Sequence, residues 1–260
     1  MKSLGRIAAP TCISFGYFLP TLRIENIGQP FPCSSLQVKT VVMTPSTALL
    51  ILIPVGYLLG AIPFGLIVGK TKGIDVRKAG SGNIGATNVG RLLGRKFFFI
   101  VFLLDLLKSF LPMMIASHFV HQVAEGERDW RIYLLWMLIG FAAVLGHMFS
   151  IFLRFKGGKG VATSAGLILG CFPFFTWPGL VCVFVFFVAF FLTRYVSVGS
   201  ISGAIAFPLA YLAFGELMGW PTLGAQLPLL IIAILIALMI VFKHRGNIAR
   251  LRAGTEQRMR

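Results

Sequence analysis

Residues 48–68 read ALLILIPVGYLLGAIPFGLIV, and residues 132–153 read IYLLWMLIGFAAVLGHMFSIFL. Neither stretch contains a lysine, arginine, aspartate or glutamate. A helix needs about 20 apolar residues to cross about 30 Å of hydrocarbon, so each stretch is long enough to span a membrane. The two stretches predict an all-α, polytopic integral membrane protein.

The composition of the chain excludes a soluble fold. Of its 260 residues 57% are hydrophobic and only 12% are charged, and the mean hydropathy is +0.87. Soluble domains carry roughly a quarter charged residues. The formal net charge of +16 is compatible with nucleic acid, but the charges lie in loops between apolar runs, which is the membrane pattern. We therefore expect no nucleic-acid partner.

The cysteines give no sign of a metal site. Cys12, Cys33, Cys171 and Cys182 show neither CxxC nor metal-ligand spacing, and two of them lie in apolar runs, where a thiol acts as a small hydrophobe. We expect no metal, no cofactor and no disulfide framework.

The first 42 residues differ from the rest of the chain. They contain scattered prolines and polar residues, whereas Met43 is followed by a clean apolar run. Either the protein begins at Met43 and the upstream part is not translated, or residues 1–42 form a short extension. A cleaved signal peptide is the rival interpretation, but its basic start, apolar core and cleavage site do not line up. We expect a membrane domain over residues 43–260.

The distribution of lysine and arginine among the loops predicts the membrane topology of the apolar segments. Cytoplasmic loops are enriched in lysine and arginine, and four stretches, 70–96, 154–159, 194 and 243–260, hold 17 of the 24 basic residues. These stretches share one side if the chain crosses seven times, with the amino end outside and the carboxyl end in the cytoplasm. The predicted segments are 46–69, 97–120, 132–153, 161–176, 178–192, 198–215 and 226–242. Because Pro173, Trp177 and Pro178 mark a turn, the fourth and fifth are two short helices or one long kinked helix.

The first basic loop reads KAGSGNIGATNVGR over residues 78–91. Its glycines match GxGxxG, but no strand precedes it, so a dinucleotide site is excluded. Glycines let backbone N–H groups approach an anion, and Arg91 can bind phosphate oxygens with two N–H groups. An ordinary basic loop would not explain so many small polar residues. We predict a phosphate-binding loop, with candidate ligands Ser81, Gly82, Asn83, Gly85, Thr87, Asn88 and Arg91.

The second basic loop reads FKGGKGVAT over residues 155–163 and follows GHMFS over residues 146–150. A nucleoside triphosphate loop would need glycine where Leu153 stands. Lys159 lies between glycines just before a predicted helix, whose dipole and free N–H groups favour a phosphate. We interpret Lys156 as an ordinary anchor at the membrane boundary. The candidate ligands are His147, Gly157, Gly158, Lys159, Gly160 and Thr163.

The remaining polar segments are a third loop, TRYVSVGS over residues 193–200, and a tail, HRGNIARLRAGTE over residues 244–256. Ser197 and Ser200 are either ligands or helix caps, and the tail either completes the site or meets anionic lipid. Within a predicted span, Asp105 and Lys108 are three residues apart on one helix face. Buried membrane charges are usually paired, and we assign this pair to structural support.

The three loops and the tail together resemble the bacterial acyl-phosphate:glycerol-3-phosphate acyltransferase family over about residues 43–256. The resemblance rests on four motifs in order: SGNIGATNVGR, GHMFSIFLRFKGGKGVAT, TRYVSVGS and HRGNIARLRAGTE. It implies seven helices in the bacterial inner membrane and acyl phosphate as the donor, with acyl-CoA and acyl carrier protein excluded. Residues 1–42 have no counterpart in that family.

The resemblance also implies residue roles. Ser81, Arg91 and Lys159 would hold substrate phosphates, and the glycines around Lys159 would shape the site. Ser197 would supply the hydroxyl of the third loop. In the tail His244 and Asn247 would be important for activity, and Glu256 would be structural.

The residues suit such chemistry on their own terms. A soluble phosphate ester, glycerol 3-phosphate, and a lipidic acyl phosphate would need several anion ligands beside an apolar surface. The product would be lysophosphatidic acid in the membrane lipid, and the soluble enzyme that makes acyl phosphate is a candidate partner. The rival is an anion transporter, which should place its ligands near the bilayer midplane, whereas these candidates cluster at one face.

Overall fold

A computed structural model describes residues 44–259, and the predicted extension 1–42 lies outside this range. Within it the chain forms ten α-helices and no β-strand, which confirms the all-α prediction. The helices are α1 Pro45–Ala61, α2 Phe64–Thr71, α3 Ala86–Leu93, α4 Arg95–His121, α5 Trp130–Met148, α6 Val161–Gly170, α7 Thr176–Thr193, α8 Val196–Met218, α9 Leu227–Lys243 and α10 Arg245–Arg252.

Local sequence explains where the long helices begin. The Thr44 hydroxyl accepts a hydrogen bond from the Thr47 N–H at 3.3 Å, and Pro45 takes the first position of α1. The Asp129 carboxylate accepts from the N–H groups of Arg131 and Ile132 at 3.0 and 3.2 Å. Both arrangements satisfy N–H groups that lack partners at a helix start.

Five stretches of the described chain are long and apolar enough to cross a membrane: α1 with α2, α4, α5, α7 and α8. A sixth is α9 joined to α10, which bend by 50° at their junction. The predicted fourth segment, 161–176, is helical only to Gly170. A helix of this length rises about 15 Å and is too short to cross alone. The chain is a multi-pass membrane protein.

The shortness of α6 has a structural cause. The loop before it folds back into the bundle, where the N–H groups of Gly157 and Gly158 donate to the carbonyls of Met148 and His147 at 3.2 and 3.0 Å. At the other end of α6, the Phe174 ring packs against Trp220 with centroids 5.3 Å apart. Thus α6 lies between a loop that packs against the end of α5 and a turn that packs against Trp220. The alternative of one long kinked helix over residues 161–192 is excluded.

Small residues bring the first and fifth helices into backbone contact. A Cβ built on Gly60 would overlap the carbonyl oxygen of Ala143, and one built on Gly146 would overlap that of Tyr57. In lipid, helix association depends on such close packing because apolar burial provides no drive. This contact fixes α5, which carries the start of the second basic loop, against the first span.

The first span is broken between α1 and α2, at Ile62 and Pro63. The carbonyls at the end of α1 have lost their helical partners, and two side chains satisfy them. The Ser150 hydroxyl donates to the Ala61 oxygen at 2.5 Å, and the Lys108 ammonium donates to the Ile62 oxygen at 3.3 Å. Lys108 also bonds Asp105 at 2.9 Å, so the predicted buried pair is confirmed.

The loops separate into the two predicted groups. At one end, the Met259 N–H donates to the Arg194 carbonyl at 2.9 Å, so the tail lies against the third basic loop. At the other end, Phe174 contacts both Tyr133 and Trp220, whose rings lie 5.8 and 5.3 Å away. The basic stretches therefore converge on a single end of the bundle.

Candidate active site

The first two basic loops and the tail line an open cavity of about 350 Å³ at this end of the bundle. Three segments far apart in sequence supply its walls, and the charged side chains among them are all cationic. The lining residues are Ser81, Gly82, Asn83, Gly157, Gly158, Lys159, Lys243, Arg245, Gly246, Asn247 and Arg250.

The first wall is held in shape by Asn88, which is buried on α3. Its amide nitrogen lies 2.9–3.1 Å from the carbonyl oxygens of Val76, Ala79 and Asn83, and its oxygen accepts from the Ser81 N–H at 2.8 Å. Asn88 was predicted as a ligand, but both ends of its side-chain amide are hydrogen-bonded to the backbone of the loop. It presents Ser81 and Asn83 to the cavity.

Two glycines permit this loop conformation. Gly80 and Gly82 have φ values of +59° and +69°, which L side chains rarely adopt,. A Cβ on Gly80 would also overlap the Asn88 side chain. Gly85 precedes α3 and donates its N–H to the Asn83 side-chain oxygen at 3.0 Å. Thr87 is half-buried on α3 and lines neither cavity.

The second wall carries Lys159. Its ammonium donates to the Asn247 side-chain oxygen at 2.6 Å, which joins the second loop to the tail. Gly160, with φ of +84°, then turns the chain into α6. Burial lowers the pKa of Lys159 to about 8, with Arg250 and Arg91 acting in the same direction and Glu256 opposing them. A desolvated cation among other cations is a strong ligand for an anion.

The tail contributes a carboxylate that joins three segments. Glu256 accepts hydrogen bonds from Asn247 at 2.6 Å, from Arg250 at 2.7 Å and from the Ser197 hydroxyl at 3.1 Å. Burial alone would raise the pKa of Glu256, but these hydrogen bonds outweigh it and leave the pKa below its usual value. Glu256 is thus an ionised hub that connects the third loop to α10.

A second cavity of about 190 Å³ adjoins the first, and Ser81 and Arg250 line both. Its remaining lining comes from Gly80, Arg91, Thr255, Glu256 and Gln257. The Arg91 guanidinium donates to the Gln257 carbonyl at 3.3 Å, and burial lowers its pKa from the usual value. Two anionic groups can therefore bind side by side, with Ser81 and Arg250 between them.

His244 is buried where α9 meets α10 and lines neither cavity. Its Nδ1 lies 2.8 Å from the Ile240 carbonyl, so this nitrogen carries the proton and donates,. Burial, followed by the nearby charge of Lys159, lowers the pKa of His244 to about 4. The imidazole is therefore neutral near pH 7.

Other predicted ligands lie behind the walls. Ser200 donates to the carbonyl of Val196 in its own helix at 2.9 Å, which is not a cap. The Thr163 hydroxyl is fully buried and has no hydrogen-bonding partner among the described residues. His147 is buried beneath Gly158. The structure thus brings Ser81, Gly82, Asn83, Gly157, Gly158, Lys159 and Asn247 to the larger cavity and Arg91 and Glu256 to the smaller one.

Sequence reasoning missed three cavity cations, Lys243, Arg245 and Arg250. A signal for Arg250 was present, because Asn247 and Arg250 are three residues apart and so share a face of α10,. Lys243 also donates to the Met148 carbonyl at 2.9 Å and lies over the Phe149 ring. It therefore ties the tail to the end of α5.

The donor set suits an anion. Lysines, arginines, amides and glycine-rich backbone surround the cavities, and the described residues contain no group of three or more metal-ligating side chains. The fold and the site together define a polytopic helical membrane protein with cavities lined by cationic side chains at one end of its bundle. The sequence profile of glycerol-3-phosphate acyltransferases matches residues 50–254. The chain belongs to the glycerol-3-phosphate acyltransferase family.

Relatives cover nearly the whole described chain. The glycerol-3-phosphate acyltransferase of Geotalea daltonii is 44% identical over 81% of this chain and 97% of that relative. The Aquifex aeolicus enzyme is 41% identical over 80% of this chain and 98% of its own length. A crystal structure of PlsY (YgiH), an integral membrane glycerol 3-phosphate acyltransferase, in its glycerol 3-phosphate form has a TM-score of 0.68 at 40% identity. It covers 82% of this chain and 96% of that one.

The charge of Lys159 should set the alkaline limit of activity. Its ammonium is present below about pH 8 and is lost as the pH rises through that value. We therefore expect kcat/KM for glycerol 3-phosphate to fall above about pH 8, because this parameter reports the free enzyme. The measurement is a pH–rate profile of the wild type and of Lys159→Arg.

The arginine variant is the control, since a guanidinium keeps its charge to above about pH 12. It should lower activity but remove the descending limb between pH 7 and 9. An unchanged limb in Lys159→Arg would assign that limb to another group.

Proposed function

We propose that this protein transfers a fatty acyl group from acyl phosphate to the sn-1 hydroxyl of glycerol 3-phosphate. The products are 1-acylglycerol 3-phosphate, which is a lysophosphatidic acid, and inorganic phosphate. Family membership and similarity to PlsY structures in glycerol 3-phosphate and lysophosphatidic acid forms support the acceptor and the product class. The observation that carries the choice of donor is the pair of adjoining cavities that share Ser81 and Arg250.

The presence of two cavities fits a reaction in which both substrates carry a phosphate. The acceptor and the proposed donor each carry one phosphate, and each cavity presents cationic side chains to hold one. A thioester donor has no phosphate at its reacting carbonyl and would leave the cations of one cavity without a partner. Arg250 lies at the boundary, with its Nε on Glu256, so its remaining N–H groups are available to an anion on either side.

The proposed roles follow from these positions. Lys159, held by Asn247, binds phosphate in the larger cavity, and Arg91 binds phosphate in the smaller one. Ser81 donates between the two. His244 and Glu256 are proposed to position these groups, since neither presents a free cationic donor.

The transfer needs no strong base from the protein. The sn-1 hydroxyl oxygen attacks the acyl carbonyl carbon, and the bond from that carbon to the bridging phosphate oxygen breaks. The hydroxyl proton passes to a phosphate oxygen of the donor, so inorganic phosphate leaves with it. Arg91 and Lys159 stabilise negative charge that develops in the transition state. Because acyl phosphate is an activated mixed anhydride, its leaving group is already good.

The position of the protein in the cell follows from its charge pattern. We propose seven crossings of the bacterial inner membrane, with α6 as the short fourth, the amino end outside and the carboxyl end in the cytoplasm. The two cavities then open to the cytoplasm, where glycerol 3-phosphate is available. Exposed Arg77, Arg154, Lys156 and Arg194 make this face basic, and it is the surface on which a soluble acyl-phosphate-producing enzyme would dock. Residues 1–42 are proposed as an extension, if translated.

The role of His244 can be separated from base catalysis. If the donor phosphate accepts the proton, His244→Gln should lower kcat by less than about 100-fold, because the glutamine amide still fills the site. The measurement is steady-state turnover in detergent, with His118→Gln, an exposed histidine at the other end of the bundle, as the control. A loss of about 10,000-fold with substrate binding intact would favour a histidine base.

The donor can be identified directly. We expect purified protein with radiolabelled glycerol 3-phosphate to form lysophosphatidic acid from palmitoyl phosphate. Palmitoyl-CoA and palmitoyl carrier protein should give no product. Arg91→Ala should lower turnover roughly 10- to 100-fold, because a charge-assisted phosphate contact is lost. Arg95→Ala removes an exposed arginine that lines neither cavity and should have no effect. Product from the thioesters alone would contradict the proposal.

A further inference from the structure

A buried polar cluster lies beneath the cavity. The Lys108 ammonium, in the middle of α4, lies 2.9 Å from the Asp105 carboxylate, 3.3 Å from the Ile62 carbonyl and 2.6 Å from Nδ1 of His147. Only 2% of the Lys108 side chain is exposed, and His147 is 5% exposed. A buried ammonium with three hydrogen-bonding partners has no proton left unused.

The cluster determines which nitrogen of His147 carries the proton. A lysine ammonium has no acceptor lone pair, so Nδ1 must accept from Lys108. Asp105 lies 3.6 Å from this nitrogen, which is beyond hydrogen-bonding distance, and so does not compete for it,. A neutral imidazole with an acceptor at Nδ1 carries its proton at Nε2. This is the opposite tautomer to that of His244.

The Nε2 edge of His147 lies against the floor of the larger cavity. A Cβ built on Gly158 would overlap Nε2, which is its nearest neighbour, and then the two adjacent ring carbons. The Gly158 N–H donates to the His147 carbonyl at 3.0 Å, so the backbone holds the same contact. Gly158 lines the cavity and precedes Lys159. The ring therefore supports the peptide that carries the lysine.

The same ammonium reaches the other wall. Its bond to the Ile62 carbonyl lies at the break between α1 and α2, and α2 leads into the first basic loop. One lysine thus joins the element that precedes the first loop to the histidine under the second.

We propose that His147 is a positioning residue for the second loop, with its tautomer and orientation set by Lys108 and Asp105. Because the ring contacts Lys108 on one side and Gly158 on the other, it fixes the position of Gly158. The position of Gly158 in turn determines where Lys159 contacts the phosphate of glycerol 3-phosphate. This inference rests on the proposed placement of that phosphate in the larger cavity, but it does not depend on the identity of the acyl donor.

The test uses two variants of His147. Each keeps one of the two contacts of the ring, with Lys108 or with Gly158, and removes the other. His147→Asn retains a group near Lys108 but leaves the space under Gly158 empty. His147→Gln places an amide under Gly158 but loses the bond to Lys108. Calorimetric binding of glycerol 3-phosphate to the purified full chain should weaken about tenfold in each, the effect of one lost hydrogen bond in a buried network. Thermal unfolding of each variant is measured in parallel, and His118→Gln should bind like the wild type.

The tautomer of His147 can be measured by spectroscopy on the wild type, so this test does not depend on whether a variant folds. In a ¹⁵N-histidine NMR spectrum, His147 should show a proton on Nε2 and a bare Nδ1, whereas His244 should show the reverse. The double variant Asp105→Leu/Lys108→Met removes the pair without leaving an unpaired buried charge, and there the His147 signal should shift to a mixture of tautomers.

Two results would overturn the inference. One is unchanged glycerol 3-phosphate affinity in both His147 variants while the wild type binds. The other is a proton on Nδ1 of His147 in the wild type. Failure of the proposed function is distinguishable, because it would appear as absence of product from acyl phosphate, whereas binding and tautomer are measured without any donor.

Discussion

The site depends on one carboxylate. Burial, together with the charges of Arg250 and Arg91, lowers the pKa of Lys159, and a counter-charge among these cations offsets their repulsion,. Of the residues that line the two cavities, Glu256 is the only acidic one. It accepts hydrogen bonds from the third loop and from two positions of α10, and through Asn247 it reaches Lys159. The second loop, the third loop and the tail are assembled around it. Three hydrogen-bond donors offset the desolvation of this ionised carboxylate,, and Lys159, Arg91 and Arg250 still line the cavities.

A second constraint comes from the membrane. Backbone groups without partners are costly in hydrocarbon, and irregular backbone is tolerated only where protein or a cavity surrounds it. Within residues 44–259, irregular backbone packs inside the bundle at the break after α1 and in the loop before α6. Side chains of Ser150 and Lys108 satisfy the first, and backbone contacts with the end of α5 satisfy the second. The loop thereby packs against the end of α5, and in the proposed function it would hold Lys159 near the acyl chain of the donor. A polar reaction can then take place beside a lipid substrate without exposing backbone to the bilayer.

Much of this organisation could be predicted from the sequence. Hydropathy located the long spans, charge grouped the loops at one end, and the local pattern singled out the glycine-flanked Lys159, which lines the larger cavity. The sequence did not predict those features that tertiary contacts determine, namely side-chain direction, the position of α10 and the length of α6. Asn88 looked like a ligand because its amide suits phosphate, but it bonds its own loop, and no local rule reports which way an asparagine points. Arg250 was not singled out within a tail that would either complete the site or meet anionic lipid, since only the bend at His244 turns α10 over the cavity. The length of α6 depends on how deeply the preceding loop enters the bundle, which hydropathy does not record.

The most direct test of the account is the substitution Glu256→Gln, assayed by calorimetric binding of glycerol 3-phosphate and by thermal unfolding in detergent. The glutamine keeps the shape but turns one acceptor oxygen into a donor, so at least one charge-assisted hydrogen bond is lost, at a cost of about 1.5–3 kcal/mol. We predict at least a tenfold loss of affinity together with a lower unfolding temperature. Glu216→Gln, an exposed carboxylate at the opposite end of the bundle, should change neither. Unaltered glycerol 3-phosphate affinity in Glu256→Gln would contradict the claim that this carboxylate assembles the site.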